Sequence, residues 1–345
     1  MSGRSPGPRT DWTRRLYDRA AAGAAGYAPG PAIAVGRSLL ALVQLATLLG
    51  TPDAALFAAG GYGPVGPRCD GVRALGLWCL GPADGTLTVH RLLAAVGLAV
   101  VLSGFLPRWT CLLHWYLTFS LGAATGLADA GDAAARIATL LLVPVLLGDT
   151  RRWHWRRRPD ALPPLWRGAG HAAQLLLRLQ VLIVYLNAAL SKLADPVWRQ
   201  GTAMYYWLHS HYWGATPGLR PFVDPVLDHG WSVRALSWSV IGLELALAAC
   251  MVAPPRLRRA ALPGAVLLHG GIVLLMGLFG FGFTMIALVL LACAGTGSGE
   301  SRRRSQRRCT TDVTRAQTEG RSSAARAGAD RPWREAHGTK GEDSL

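Results

Sequence analysis

Apolar residues in this chain come in long runs, not at the spacing of a helix lying on a soluble core. Stretches such as 92–101, 137–147 and 261–291 hold few charges or none, as expected of helices surrounded by lipid. The runs predict spans at 33–49, 89–106, 110–128, 133–148, 171–194 and 231–253, followed by an apolar stretch over 262–294. About 20 residues suffice to cross a bilayer, so that last stretch is too long for one helix. It is interrupted by Gly277-Leu278-Phe279-Gly280-Phe281-Gly282, which we read as a tight turn between two short helices. The predicted fold class is all-α, a polytopic transmembrane helical bundle of about eight spans.

Charge fixes the orientation. With both termini cytoplasmic, the inner segments up to Arg308 hold twenty arginines and the outer loops four, Arg68, Arg73, Arg199 and Arg220. Cytoplasmic loops carry such an excess, and an odd number of spans would strand the basic C-terminal segment outside. The organisation expected is a basic cytoplasmic N-terminal segment over 1–32, a membrane domain over 33–294 and a basic cytoplasmic tail over 295–345. That tail has almost no large apolar residues, so it is expected to be disordered. Residues 1–31 are polar and Arg-rich, with no apolar core ahead of the first span, so no cleavable signal peptide is expected.

Composition narrows the class further. Half the residues (51%) are hydrophobic and 16% charged, against roughly 25% charged in a soluble domain. The net charge of +16 would suit nucleic acid, but it sits between apolar runs and not on one folded face, so no nucleic-acid partner is expected; the partner is the lipid bilayer. The 36 basic residues are 34 Arg and two Lys, amid abundant Ala, Gly and Leu. This resembles the codon bias of a GC-rich bacterium and points to a bacterial plasma membrane.

Two outer loops are large. Cys69 and Cys79 lie in a Gly/Pro-rich stretch of the first, 50–88; on an outer face they are either a disulfide or two thiols. Cys111, Cys250 and Cys293 sit in apolar runs as small packing residues. The second loop, 195–230, carries Trp198, Tyr205, Tyr206, Trp207, Tyr212 and Trp213, rings that favour the headgroup layer.

Ionisable residues within spans cost roughly 2.5–3.5 kcal/mol each on insertion scales and are candidates for function. Those singled out are Arg37, His114, Arg136, Arg178, Lys192, Glu244 and His269. At 100° per residue, His171, Gln174, Arg178, Tyr185 and Lys192 fall within about 60° of arc on one helix. That face must line a bundle interior or a water-filled cavity. Lys192 either snorkels to the outer surface or pairs with Asp195, or is desolvated enough to act as a base. Glu244 is the acidic residue placed well inside a span, and its partner decides between those readings. If it pairs with Lys192 the amine stays charged and the pair is structural; if it pairs with an arginine, Lys192 is free. The candidate catalytic set is Lys192 as base with Glu244 and His269 facing it; Arg178, Tyr185, Arg37 and Arg136 are expected to line the cavity. No metal site is expected, since His209-x-His211 lacks a third ligand at good spacing. Phosphate-binding, dinucleotide, nucleophile-elbow and Cys-x-x-Cys motifs are missing from the sequence.

The run Val184-Tyr185-Leu186-Asn187-Ala188-Ala189-Leu190-Ser191-Lys192-Leu193, followed by Trp198-Arg199-Gln200-Gly201-Thr202-Ala203-Met204, resembles the signature of the HTTM domain. That membrane domain is shared by vitamin K-dependent gamma-glutamyl carboxylase and many bacterial proteins. Arg37, Gly131-Asp132 with Arg136, Glu244, His269 and Phe281-x-x-x-Met285 agree with it in order. In length the chain most resembles the sporulation-delaying protein B group. The resemblance implies a role in producing a secreted antimicrobial peptide, with the toxin precursor and a small accessory protein as partners. In the carboxylase the matching Lys is the base acting on vitamin K hydroquinone, so a reduced quinone is the cofactor implied, by resemblance alone. This chain departs from that enzyme in having Ser191-Lys192 in place of two lysines, with one extra residue before Trp198. It also lacks the large β-rich domain and an Asn-His motif between spans three and four. Two rival readings are a stand-alone quinone-linked membrane enzyme and a non-catalytic structural or immunity-type membrane protein.

A map of reporter fusions should place both ends of the chain inside and residues 50–88 and 195–230 outside. An odd number of crossings would overturn the eight-span reading.

Overall fold

Three of the long helices open on proline: Pro31, Pro107 and Pro164 stand in their first turns, where the missing N–H has no intrahelical acceptor to lose. The computed structural model describes residues 9–57, 66–81, 87–125, 130–156 and 162–294. Among them the long helices are α1 (Arg9–Ala25), α2 (Pro31–Gly50), α3 (Leu87–Ser103), α4 (Pro107–Ala124) and α5 (Ala130–Leu146), then α6 (Pro164–Ala194), α7 (Gly230–Val252), α8 (Ala261–Met276) and α9 (Phe279–Cys293). The architecture is all-α, and the described residues form no sheet beyond one isolated bridge. Four stretches, Pro31–Gly50, Pro164–Ala194, Gly230–Val252 and Pro255–Met276, are long and apolar enough to cross a membrane. The predicted tail 295–345 lies outside the described residues.

From α2 onward, successive helices run between two ends of the bundle. At one end Arg91 reaches the Leu48 and Thr51 carbonyls and pairs with Asp53 at 2.6 Å. There, too, the Leu77 amide donates to Ser120 Oγ (3.1 Å) and the Thr216 amide to the Leu275 carbonyl (3.0 Å). At the other end Arg167 donates to the Ala25 carbonyl and Arg178 to that of Ala292. The apolar stretch after 261 does break into two helices, at Gly277-Leu278.

α2 is shared by two cores. Leu40 belongs to a cluster with Leu142, Leu177, Leu247, Ala265 and Leu288, while Ala41 and Leu48 belong to one with Leu98, Val101, Leu117 and Trp78. The outward surface is also apolar. On α6, Leu175, Leu176, Leu179, Ile183, Leu186 and Leu190 are exposed, while Gln174, Leu177, Val181, Tyr185 and Ala189 are buried. This inverts a soluble helix, as lipid requires. α6 begins at Pro164, ahead of the span start predicted at His171, and α1 packs on its first turns: Gly23 leaves room for the His171 ring, and Tyr27, just past α1, lies edge-on to it. Hydropathy cannot register such a contact.

In the first large loop Cys69 and Cys79 are joined by a disulfide. At the opposite end a clasp forms between two turns. Phe105 bridges Trp153, Leu106 N donates to the Arg152 carbonyl (2.8 Å), and Trp155 Nε1 donates to that of Ser103 (2.8 Å). The clasp buries His154, whose Nε2 lies 3.4 Å from Ser38 Oγ. Burial, aided by the charges of Arg37 and Arg151 and opposed by Asp149, pushes this imidazole down to about 4.

Two outcomes follow from this packing. A Cβ at Gly282 would stand 2.4 Å from Val273 Cγ2 and 2.9 Å from the His269 carbonyl, whereas one at Gly270 would meet nothing. Gly282→Ala should therefore cost about 1–3 kcal/mol and lower the melting temperature in detergent, while Gly270→Ala should not. For His154, the unfolded chain binds a proton below about 6.5 that the fold refuses until about 4. Stability should then be flat above that window and fall through it as pH drops. His154→Gln should reduce the acid-side loss, measured as melting temperature against pH.

Candidate functional site

The half of α6 farthest from α1 carries Tyr185 and Lys192 on its inward face, and three neighbouring helices meet them there. Lys192 Nζ donates to Glu244 Oε1 of α7 at 2.8 Å, with the two side chains 22% and 9% exposed. The same ammonium stands 5.2 Å from the ring centroid of Trp198. One helical turn pair deeper, Tyr185 Oη and His269 Nε2 of α8 are 2.8 Å apart, and the His269 ring meets Phe281 of α9 edge-on at 5.5 Å. The two pairs form one electrostatic unit, since the Lys192 charge acts on His269 and the Glu244 charge on Tyr185. Glu244 Oε2 and His269 Nδ1 are buried without a hydrogen-bond partner. The centre thus presents an ammonium, a carboxylate oxygen and an imidazole nitrogen, the last two with unused bonding capacity, beneath an indole wall.

The wall is set by the segment after α6. Asp195 Oδ1 accepts from the Val197 amide at 2.9 Å and starts the turn Pro196–Arg199, a side-chain cap. Trp198 then packs with Ala189, Ala203 and Ile241. Gly201 has a φ of +75°, and a Cβ there would stand 2.6 Å from Arg234 Cγ, so only glycine passes. Ser237 of α7 fixes the crossing, its Oγ accepting from the Met204 amide and donating to the Gly201 carbonyl, both at 3.1 Å. The Trp-x-x-Gly spacing therefore has a physical reading: the ring covers Lys192 and the glycine lets the chain turn against α7. Beyond it, Tyr206, Tyr212, Phe222 and Trp231 are exposed.

The remaining candidates do not join this centre. Arg178, about 21 Å along the helix from Lys192, donates to the Ala292 (3.1 Å) and Ala294 (3.3 Å) carbonyls. Gln174 donates to the Leu291 (2.7 Å) and Ala292 (3.1 Å) carbonyls. Both cap the end of α9, whose last carbonyls lack intrahelical donors. Arg37 is fully buried and donates to Thr110 Oγ1 of α4 at 2.8 Å. Arg136 lies against Gly122 of α4. The single polar cavity wall expected along α6 is two places: an ionisable centre at one end and a helix cap at the other. The reason is that free carbonyls at the end of α9 draw in whatever donors α6 offers there. Trp198 is the member of the centre that reading by residue type undervalued, because an aromatic in an interfacial loop has no polar signature. Its signal was the glycine three residues on.

Among the described residues no three His, Cys, Asp or Glu side chains gather as a metal site. His209 lies 3.7 Å from Asp224.

Comparison with known proteins agrees with the part of the chain that builds this centre. The HTTM domain matches residues 163–296, a range that holds Tyr185, Lys192, Glu244 and His269. The uncharacterized protein YitO of Bacillus subtilis is 30% identical over 250 residues, which is 72% of this chain and 80% of that one. The sporulation-delaying protein SdpB of Bacillus subtilis is 30% identical over 238 residues, 68% of this chain and 72% of that protein. No solved structure matches the chain significantly. With this identity over most of each relative's length, and with the domain match falling on the paired helices α6 to α9, the chain belongs to the HTTM-domain family of membrane proteins, alongside SdpB.

Proposed function

We propose that this protein serves the maturation of a secreted antimicrobial peptide, receiving the precursor at the outer half of a bacterial plasma membrane together with a small accessory protein. In this reading α2 to α9 make eight crossings with both ends of the chain cytoplasmic. Loop contacts support it, since every loop pairing named above joins segments assigned to the same side. The observation that carries the functional reading is the Lys192–Glu244 ion pair, 2.8 Å long and only partly shielded, under an aromatic segment at the outer end. It supplies charge and an unused acceptor, Glu244 Oε2, where an amphipathic peptide would enter lipid. The relative named as a sporulation-delaying protein agrees with such a role.

A reduced quinone fits these residues poorly. The amine that would take its proton is already held by Glu244, and Arg178, whose charge would favour a neutral amine only if it were near, is engaged at the far end of α6. We derive no step through a quinone, and read Lys192 as a charged group in the resting protein.

Deleting the gene should abolish the processed peptide; unchanged peptide would refute the role. Lys192→Arg keeps the charge without accessible basicity and should retain most of the output. Lys192→Met and Glu244→Gln, each leaving one buried charge unmatched, should lower output about tenfold or more. The double variant Lys192→Met/Glu244→Gln should restore protein level but not output. Restored output would make the pair purely structural. Loss of output in a stably inserted Lys192→Arg protein would instead return base chemistry, and purified protein consuming reduced quinone would then decide for the enzyme.

A further inference from the structure

The centre at Lys192 leaves a second buried polar cluster unexplained, at the opposite end of the bundle. Arg37 is the largest side chain in the described protein with no exposure. Its Nη2 donates to Thr110 Oγ1, but its Nε and Nη1 are buried and meet no acceptor. His114 and His154 are 1% and 3% exposed and close enough to feel the Arg37 charge, and His114 Nε2 and His154 Nδ1 also meet no partner. Cys111 and Asp149 complete the surroundings. Among the described residues the carboxylate in reach is Asp149, which is shared with Arg151: its Oδ1 accepts from Arg151 Nε at 2.9 Å and its Oδ2 from Arg151 Nη2 at 2.6 Å.

Two guanidinium groups thus face one carboxylate, and Arg37 also stands against the first turn of α4, through Thr110. A helix N-terminus is a region of positive potential, the wrong end for a cation and the right one for an anion. A buried cation that must share its counter-charge is costly, and four buried nitrogens of the cluster, two of them Arg37's own, have no partner. We propose that this cluster is a binding site for a small inorganic anion, a halide or oxyanion, held by Arg37 and Thr110 with His114 and His154 beside it. The clasp of 104–106 with 151–155 closes over the site, which excludes a bulky lipid headgroup and selects small ions.

The test uses the full chain purified in detergent, with melting temperature followed in sodium bromide, sodium phosphate and sodium gluconate at one fixed ionic strength. A bound ion stabilises by mass action. Bromide or phosphate should therefore give a saturable rise of several degrees that gluconate, too large to enter, does not. Arg37→Gln should abolish the rise. Should that variant not fold, Thr110→Val and His154→Gln keep the Arg37 charge and should each raise the half-saturating concentration severalfold. Equal melting temperatures in the three salts would overturn the proposal, leaving water as the partner of these groups. So would a response that survives Arg37→Gln, or half-saturation unmoved in both of the other variants.

Discussion

Lipid offers no hydrogen bonds, so every polar group carried into it must find its partner inside the protein. The face of α6 that carries Gln174, Arg178, Tyr185 and Lys192 puts four such groups on one helix. Gln174 and Arg178 donate to the last carbonyls of α9, Tyr185 pairs with His269 of α8 and Lys192 with Glu244 of α7. α6 is thereby tied to three helices by groups that cannot turn outward. Polar contacts between helices in membranes contribute about 0.6 kcal/mol on average, so their larger effect is on orientation. The leucine face of α6 points to lipid because the polar face has only one place to go.

α2 plays the same part for the packing of the two cores. It carries Leu40 toward α5, α6 and α9, and Ala41 and Leu48 toward α3 and α4. Its contact with α9 is close because Gly36 leaves room for Leu291. Arg37 lies next to that glycine in sequence and reaches the other way, to Thr110 of α4. One helix thus joins the half that holds Lys192 and Glu244 to the half that holds Thr110 and His114.

The chemistry available at the Lys192 centre is that of a charged pair with a spare carboxylate acceptor, Glu244 Oε2, not of a free base. Glu244 had the choice of several cations and takes Lys192, the one on the facing helix at its own depth. Arg37, Arg136 and Arg178 lie at other depths or on other faces. The Lys192 amine is thus held by Glu244 and is not left free.

Much of this was legible in the residues. The apolar runs, the break near Gly277 and the polar arc of α6 follow from helix geometry and from the absence of water in a bilayer, both of which act locally. So does the inward orientation of Tyr185 and Lys192. Helix α1, by contrast, is Arg-rich, and the first turns of α6 are interrupted by polar residues; only their mutual packing, with Tyr27 against His171, makes them readable as helix. Pairing was beyond sequence as well. Spacing along α6 put Arg178 and Lys192 on one face, but a face has length, and their partners come from residues 50 to 120 positions away. Whether Glu244 meets a lysine or an arginine depends on how deep each helix sits beside the next. That depth is a property of the packed bundle, which no single helix records.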